Sequence, residues 1–215
     1  MKQINDLFKD LALVSKIQKK LPTLFQLAEK ENSRDGKLGM EIGSTRERII
    51  IALLLYQFGE KNVMTNIPIT EKETDVFLFK KPISIKTVTN KKIVGVKLIW
   101  TVDGQKSLEF INSYKAECDL LFIHINWNSE GVFYLISREA QAEILSQHGK
   151  DFYFKLPKKG TNPRGVEITN QAFKELIKHH ETKRIRINWV RNKQQDYNPY
   201  GRWVDLWENK KTFNS

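Results

Sequence analysis

Thr74-Asp75-Val76-Phe77-Leu78-Phe79-Lys80-Lys81-Pro82-Ile83-Ser84-Ile85-Lys86-Thr87 is the stretch on which the fold of this chain turns. Asp75 to Phe79 and Ile83 to Thr89 are rich in β-branched and aromatic residues and read as strands, with Lys80-Lys81-Pro82 as the turn between them. Side chains alternate along a strand, so Ser84 and Lys86 share a face. Folding the chain at Lys81 sets Asp75 opposite Lys86 or Thr87, with opposed Cβ atoms roughly 5 Å apart. An acid and a lysine then meet between apolar neighbours on one hairpin.

Upstream of the hairpin the chain reads as helical. Leu7, Leu11, Val14 and Ile17 mark one apolar face, and Pro22 begins a second helical segment. Glu31 to Gly43 is polar, carries Gly36, Gly39 and Gly43, and reads as a loop. A helix then starts at Ser44 and runs through Ile49-Ile50-Ile51-Ala52-Leu53-Leu54-Leu55-Tyr56 to Gly59; apolar nearly all round, it should be buried. Downstream, Ile93 to Val102 reads as a third strand, Lys106 to Tyr114 as a helix, and Asp119 to Trp127 as a long apolar strand at the centre of a sheet. Val132 to Ile136 continues that sheet, Ser137 opens a helix to His148, and Phe152 to Leu156 is a short strand. A helix from Thr169 to His180 and a strand from Lys183 to Val190 complete the regular part. The expected fold is α/β, with one mixed central sheet flanked by helices.

Without repeats, low-complexity stretches or a Pro/Gly/Ser linker, the 215 residues read as a single domain. Its N-terminal helices occupy about 1–33, its core about 40–190 and a C-terminal extension 191–215. The longest apolar run, Ile49 to Tyr56, is far short of the roughly 20 residues that cross a bilayer, so no membrane contact is expected. The opening Met1-Lys2-Gln3-Ile4 has no secretory character, and the single Cys118 fits a reducing cytoplasm. The scattered histidines and lone cysteine give no zinc spacing. A formal net charge of +11 favours a polyanionic partner, because each phosphate neutralised by Lys or Arg releases condensed counterions.

Metal-dependent cleavage of a phosphodiester needs acidic ligands for the cation and a lysine near the attacking water and the scissile phosphate. The acid-x-Lys triplets Asp35-Gly36-Lys37, Glu181-Thr182-Lys183 and Glu208-Asn209-Lys210 follow no strand-borne Asp and read as surface charge. Ile83-Ser84-Ile85-Lys86 instead has the shape of the PD-(D/E)XK motif with serine in place of its acid. The missing carboxylate must come from elsewhere, and Glu47, in the first turn of the buried helix, is the obvious donor. The same residues also have purely structural readings. Ser44-Thr45-Arg46-Glu47 is a good capping box, Asp75 can be an edge charge, and Lys86 a solvated strand lysine. In Asn162-Pro163-Arg164-Gly165, Arg164 is suited to guanine O6 and N7 and Asn162 to a base or phosphate, although an ordinary basic turn has the same composition. Trp189, Trp203 and Trp207 read as core or subunit contacts.

Lys37-Leu38-Gly39-Met40-Glu41-Ile42-Gly43-Ser44-Thr45-Arg46-Glu47, with Thr74-Asp75-Val76 and Ser84-Ile85-Lys86-Thr87, resembles the ThaI family of type II restriction endonucleases, within the PD-(D/E)XK superfamily. The separations of 28 residues from Glu47 to Asp75 and 11 from Asp75 to Lys86 match its pattern of helix Glu, strand Asp and strand Lys. The resemblance implies a homodimer that cuts double-stranded DNA bluntly at a short palindromic CG-rich site, CGCG in the type member. Glu47 and Asp75 would hold a magnesium ion, with the backbone carbonyl of Ile85, and Lys86 would orient the water. It also implies that Met40 enters the minor groove and wedges between bases, a role that suits a slender apolar side chain on a Gly-flanked loop; packing beneath that loop is the other reading. The rival functions are a repair or junction-resolving nuclease of the same fold and a nucleic-acid-binding protein without catalysis. Discrete bands from random DNA separate the first rival, and supercoiled plasmid left intact with magnesium or manganese identifies the second.

Overall fold

A computed structural model describes residues 3–34, 37–39, 41–68, 73–92, 95–155, 165–194, 197–198 and 200–208. Met40, Asn162 and Arg164 lie outside the described residues, as does the side chain of Trp203. The helical N-terminus breaks at Asp10 and not at Pro22. Helix α1 (Asp6–Lys9) ends there, and the Asp10 carboxylate accepts the Leu13 N–H at 3.1 Å to open α2 (Leu11–Glu31). Pro22 sits inside α2 on its buried face with Leu21 and Phe25. It removes one helical hydrogen bond, but burial of the whole stripe from Leu13 to Glu29 outweighs that local preference.

After a two-residue pairing of β1 (Ser33–Arg34) with β2 (Lys37–Leu38), where a loop was expected, helix α3 runs Ile42–Phe58. It begins before Ser44, and no side chain caps it. Ser44-Thr45-Arg46-Glu47 is therefore helix interior, not a capping box, and Glu47 lies in the second turn. Thr45 Oγ1 bonds Asn32 Nδ2 at 3.0 Å instead of capping an N–H. Nor is α3 buried all round: Arg46, Ile50, Leu54 and Phe58 form one fully buried line at i,i+4 spacing, while Tyr56 stays exposed. A 3-10 turn (Glu60–Asn62) then leads into β3 (Val63–Met64).

The hairpin forms as β4 (Val76–Leu78) and β5 (Lys81–Thr89), but its turn is Phe79-Lys80. Both turn residues have positive φ, 50° and 64°, as a two-residue type I′ turn requires. Asn and Gly are the usual occupants, so the sequence carries no signal for it. Here the Phe79 ring packs edge-on against Phe58, centroids 5.4 Å apart, and holds the strained turn in place.

The expected third strand shortens to β6 (Lys97–Ile99) and joins another sheet. Helix α4 (Gly104–Ser113) follows, then β7 (Asp119–Ile125), β8 (Glu130–Ile136), α5 (Arg138–His148), α6 (Lys150–Tyr153), β9 (Phe154–Lys155), β10 (Val166–Ile168), α7 (Asn170–Lys178), β11 (Lys183–Asn188) and α8 (Gly201–Trp207). The central sheet has the order β11-β8-β7-β5-β4-β3, with β5 and β7 parallel from Ile83↔Asp119 to Thr89↔Ile125 and every other pair antiparallel. It is the expected mixed sheet, flanked by helices. The antiparallel set β6-β10-β9 lies apart from it. Strands β9 and β10 of that set bound the stretch 156–164, and β10 is not legible in the sequence.

Two apolar layers sandwich the central sheet. On one face Leu121, Ile123 and Ile125 pack with Ile17, Phe25, Ile50 and Trp189. On the other, Leu120 and Phe122 pack with Leu98, Ile144, Phe154 and Phe173. Of the C-terminal tryptophans, Trp189 is core and Trp207 is exposed. No helix among the described residues is long and apolar enough to cross a membrane.

One charged cluster penetrates the first layer. Glu29 of α2 and Arg46 of α3 are joined at 2.5 Å with side chains only 5% exposed. Glu29 also accepts Trp127 Nε1 at 2.7 Å and Arg191 at 2.6 Å. Removing the carboxylate would strand a buried guanidinium. We expect Glu29→Ala to lose about 3–5 kcal/mol of stability in urea unfolding, and the double variant Glu29→Leu/Arg46→Met to lose less. A double variant no more stable than Glu29→Ala would contradict this account.

Candidate active site

The candidate site is built where the β4–β5 ladder stops. The last paired residues are Val76 and Ile83, and the Asp75 N–H still reaches the Ile83 carbonyl at 2.9 Å. Because the turn lies at Phe79-Lys80, the register brings Asp75 level with Ser84. It is not opposite Lys86 or Thr87, as folding at Lys81 would have it. The acid and lysine meet all the same. Asp75 lays its carboxylate along the edge of β5, where one oxygen, Oδ2, accepts the Ile85 N–H at 2.5 Å, the Lys86 ammonium at 3.2 Å and the Ser84 hydroxyl at 3.3 Å. The other oxygen, Oδ1, has no hydrogen-bond partner among the described residues.

A side chain here takes the place of a strand. The N–H and C=O of one β residue point to the same edge, so the Ile85 carbonyl faces the edge that its N–H offers to Asp75, where β4 has already ended. The apolar side chain of Ile85 is buried in the layer below, which fixes the direction of both backbone groups.

Glu47 reaches the same place from α3. Its neighbour Arg46 points inward to Glu29, and consecutive helical residues are about 100° apart, so Glu47 is turned off the buried line. Burial, followed by the charge of Asp75, pushes its carboxyl up to about 7, while Lys86 and Arg48 oppose the rise. A third acid, Glu73, is one that sequence reasoning missed. Its carboxyl is also pushed up to about 7, mainly by burial, with Lys86 pulling it down and Glu117 and Asp75 pushing it up. It lines a small cavity with Ser84, Tyr114, Cys118 and Gln141, and so stands near the serine that replaces the motif's acid. Its signal was the pair of acids two apart, Glu73-Thr74-Asp75.

The structure thus brings Glu47, Asp75, Ile85 and Lys86 to one edge. Among the described residues no group of three or more His, Cys, Asp or Glu side chains converges closely enough to hold a metal ion alone. Lys86 also lines an open cleft of about 960 Å³. Two carboxylates and a free carbonyl beside an open cleft make an incomplete oxygen cage, the kind that magnesium completes with water and phosphate oxygens.

Comparison with known proteins identifies relatives of the chain. The family model described as "Restriction endonuclease ThaI" matches residues 7–209. A solved structure described as a restriction endonuclease in complex with substrate DNA is 54% identical, with a TM-score of 0.89, covering 97% of this chain and 100% of that one. No curated protein matches the chain. A family model that spans nearly the whole chain, and a structural relative of this identity, establish that the chain belongs to the ThaI family of restriction endonucleases.

Proposed function

We propose that this chain is a type II site-specific deoxyribonuclease that cuts both strands of a short palindromic CG-rich DNA site, CGCG, by magnesium-dependent hydrolysis. The observation that supports it most is the Asp75 carboxylate bonded to Ile85 and Lys86 at an open strand edge, with Glu47 turned toward it. The 54%-identical relative bound to substrate DNA supports DNA as the partner. A palindrome has two equivalent strands, and a homodimer offers each the same site.

In this reading Glu47, Asp75 and the carbonyl of Ile85 would hold a magnesium ion. When bound, that ion supplies Lewis acidity and lowers the pKa of a coordinated water. Asp75 Oδ2 does something different, holding the Lys86 ammonium at 3.2 Å and preventing it from swinging into the cleft. Lys86 then donates toward the attacking water and a non-bridging phosphate oxygen, orienting the one and stabilising charge that grows on the other. Attack in line with the leaving 3′ oxygen leaves a 5′ phosphate. Met40 serves as the minor-groove wedge, and Asn162 and Arg164 read base edges or phosphate.

A supercoiled plasmid digested with magnesium should give discrete fragments whose sequenced ends are blunt and share one motif. An intact plasmid would favour the non-catalytic reading, and a smear a shape-reading nuclease. Lys86→Ala should lose cleavage by a factor of about 100 or more yet keep its affinity for the cut site in a gel-shift titration. Normal turnover by that variant would remove Lys86 from the mechanism.

Glu47 gives a pH prediction with a defined sign. Its folded pKa, about 7, lies above the ordinary 4.5. In the metal-free protein the stability it contributes is therefore fully present below about 4.5 and is lost as pH rises through about 7. Glu47→Gln should then melt above the wild type in EDTA at pH 8, and the gap should close near pH 4.5. Cation binding requires the ionised form, so raising magnesium should move the midpoint of the wild-type pH–rate profile to lower pH. A midpoint independent of magnesium would contradict its role as a ligand.

A further inference from the structure

The cleft that opens at Lys86 has a far wall, and nothing in the catalytic reading uses it. Lys86 forms one side. The other is the end of β6 and the start of α4, with Lys97, Trp100, Lys106 and Glu109 facing the same space. Trp100 follows β6 in the alternation that buries Val96 and Leu98, yet its own side chain is 69% exposed, because the core ends beneath it. A single exposed aromatic means little on a protein surface. Its setting is the informative part.

Trp100 overhangs a cleft shared with the candidate catalytic lysine, and three lysines against one glutamate line that cleft. Lys97 lies 3.9 Å from Glu167, whereas Lys106 makes no ion pair among the described residues. The backbone beneath the indole is closely packed. A Cβ on Gly165, which has φ +104°, would come within 2.0 Å of the Ile99 carbonyl oxygen and 3.0 Å of the Trp100 Cα. The chain that returns from the stretch 156–164 is thus pressed against the residue that carries the indole. A large aromatic face on a well-supported backbone, sharing its cleft with the Lys106 ammonium and the catalytic lysine, has the chemistry of a nucleic-acid strand contact: stacking on a ring, with a cation for phosphate.

We propose that Trp100 and Lys106 hold the DNA strand flanking the scissile phosphate, the indole against a deoxyribose or base and the ammonium on a neighbouring phosphate. This inference rests on the nuclease reading. It adds a wall of the substrate channel, on the β5–β7 crossover, to the edge that carries the chemistry.

The test is a binding titration of the full-length protein with a short duplex carrying the mapped cutting site, in calcium, over a range of salt. Trp100→Ala should bind roughly 5- to 150-fold more weakly, the span of one base–aromatic stack, with the salt slope unchanged. Trp100→Phe should recover most of that loss. Lys106→Ala should lower the slope of log K against log salt by about 0.9, one phosphate contact. Quenching of tryptophan fluorescence on adding duplex should be smaller in Trp100→Phe than in the wild type, a readout that does not depend on the alanine variant folding. Wild-type affinity in Trp100→Ala, or weakened binding that accompanies dissociation of a dimer at the same concentration, would overturn the proposal. The same wild-type preparation separates the two levels. If it neither binds nor cuts the duplex, the nuclease reading fails; if it does both and Trp100→Ala matches it, only the channel wall fails.

Discussion

The Glu29 carboxylate lies beneath α2 with Arg46, Trp127 and Arg191 closed around it. Burying a carboxylate so fully is tolerable only because its oxygens find two guanidinium groups and an indole N–H. The three partners come from α3, from the end of β7 and from the chain after β11, so one side chain ties the helical layer to the far strands. The link is reinforced next door, where Gln26 exchanges two 2.8 Å hydrogen bonds with the backbone of Asn192. Burial lowers the pKa of Arg46 against the pull of Glu29, and its Nε has no partner among the described residues. Its contribution is geometric. With Arg46 drawn inward on the line of Ile50, Leu54 and Phe58, the rotation of α3 is set, and Glu47 is turned off that buried line.

The second constraint is the shortness of β4. Two further paired residues would set the Thr74 backbone against Ile85 and close the edge. Ending the ladder at Val76 gives that position to the Asp75 side chain, whose Oδ2 accepts the Ile85 N–H and leaves Oδ1 without a partner among the described residues. The arrangement is unfavourable in the resting protein: Glu47 and Glu73 both have carboxyls pushed up to about 7 beside Asp75. Burial is the main cause for both and the charge of Asp75 adds to it; acids held in this way lower stability when ionised unless a cation joins them, a conflict between folding and chemistry.

Much of this is legible in the sequence, though not always for the right reason. Asp75 and Lys86 stand out because an acid and a lysine fall between apolar strand residues, and they do meet. The register that folding at Lys81 would give them is not the one adopted, since the turn is made by Phe79-Lys80, a pair without the Gly or Asn that signals a type I′ turn; what holds it is a tertiary contact with Phe58. At Pro22 local propensity points to a helix start, which the packing of α2 overrides. The capping-box pattern at Ser44 is present in letters but falls inside a helix that has started at Ile42. Glu73 shows only as one of two acids flanking Thr74, and β10 escapes because its partners are set by long-range pairing that no local pattern encodes.

The parallel pairing of β5 with β7 accounts for the position of the cleft. Two parallel strands cannot be joined by a tight turn, and the connection must cross back over the sheet with a dozen or more residues. Here it leaves β5 after Thr89, passes through β6 and α4, and returns at Asp119. It cannot pack on the α3 face, which Ile50 and Leu54 already fill, so it lies over Leu120 and Phe122 on the other side. The crossover on that side shares a cleft with Lys86. The lysine proposed for chemistry and the two residues proposed to line its approach, Trp100 and Lys106, are therefore brought to one cleft by the crossover that the parallel pairing requires.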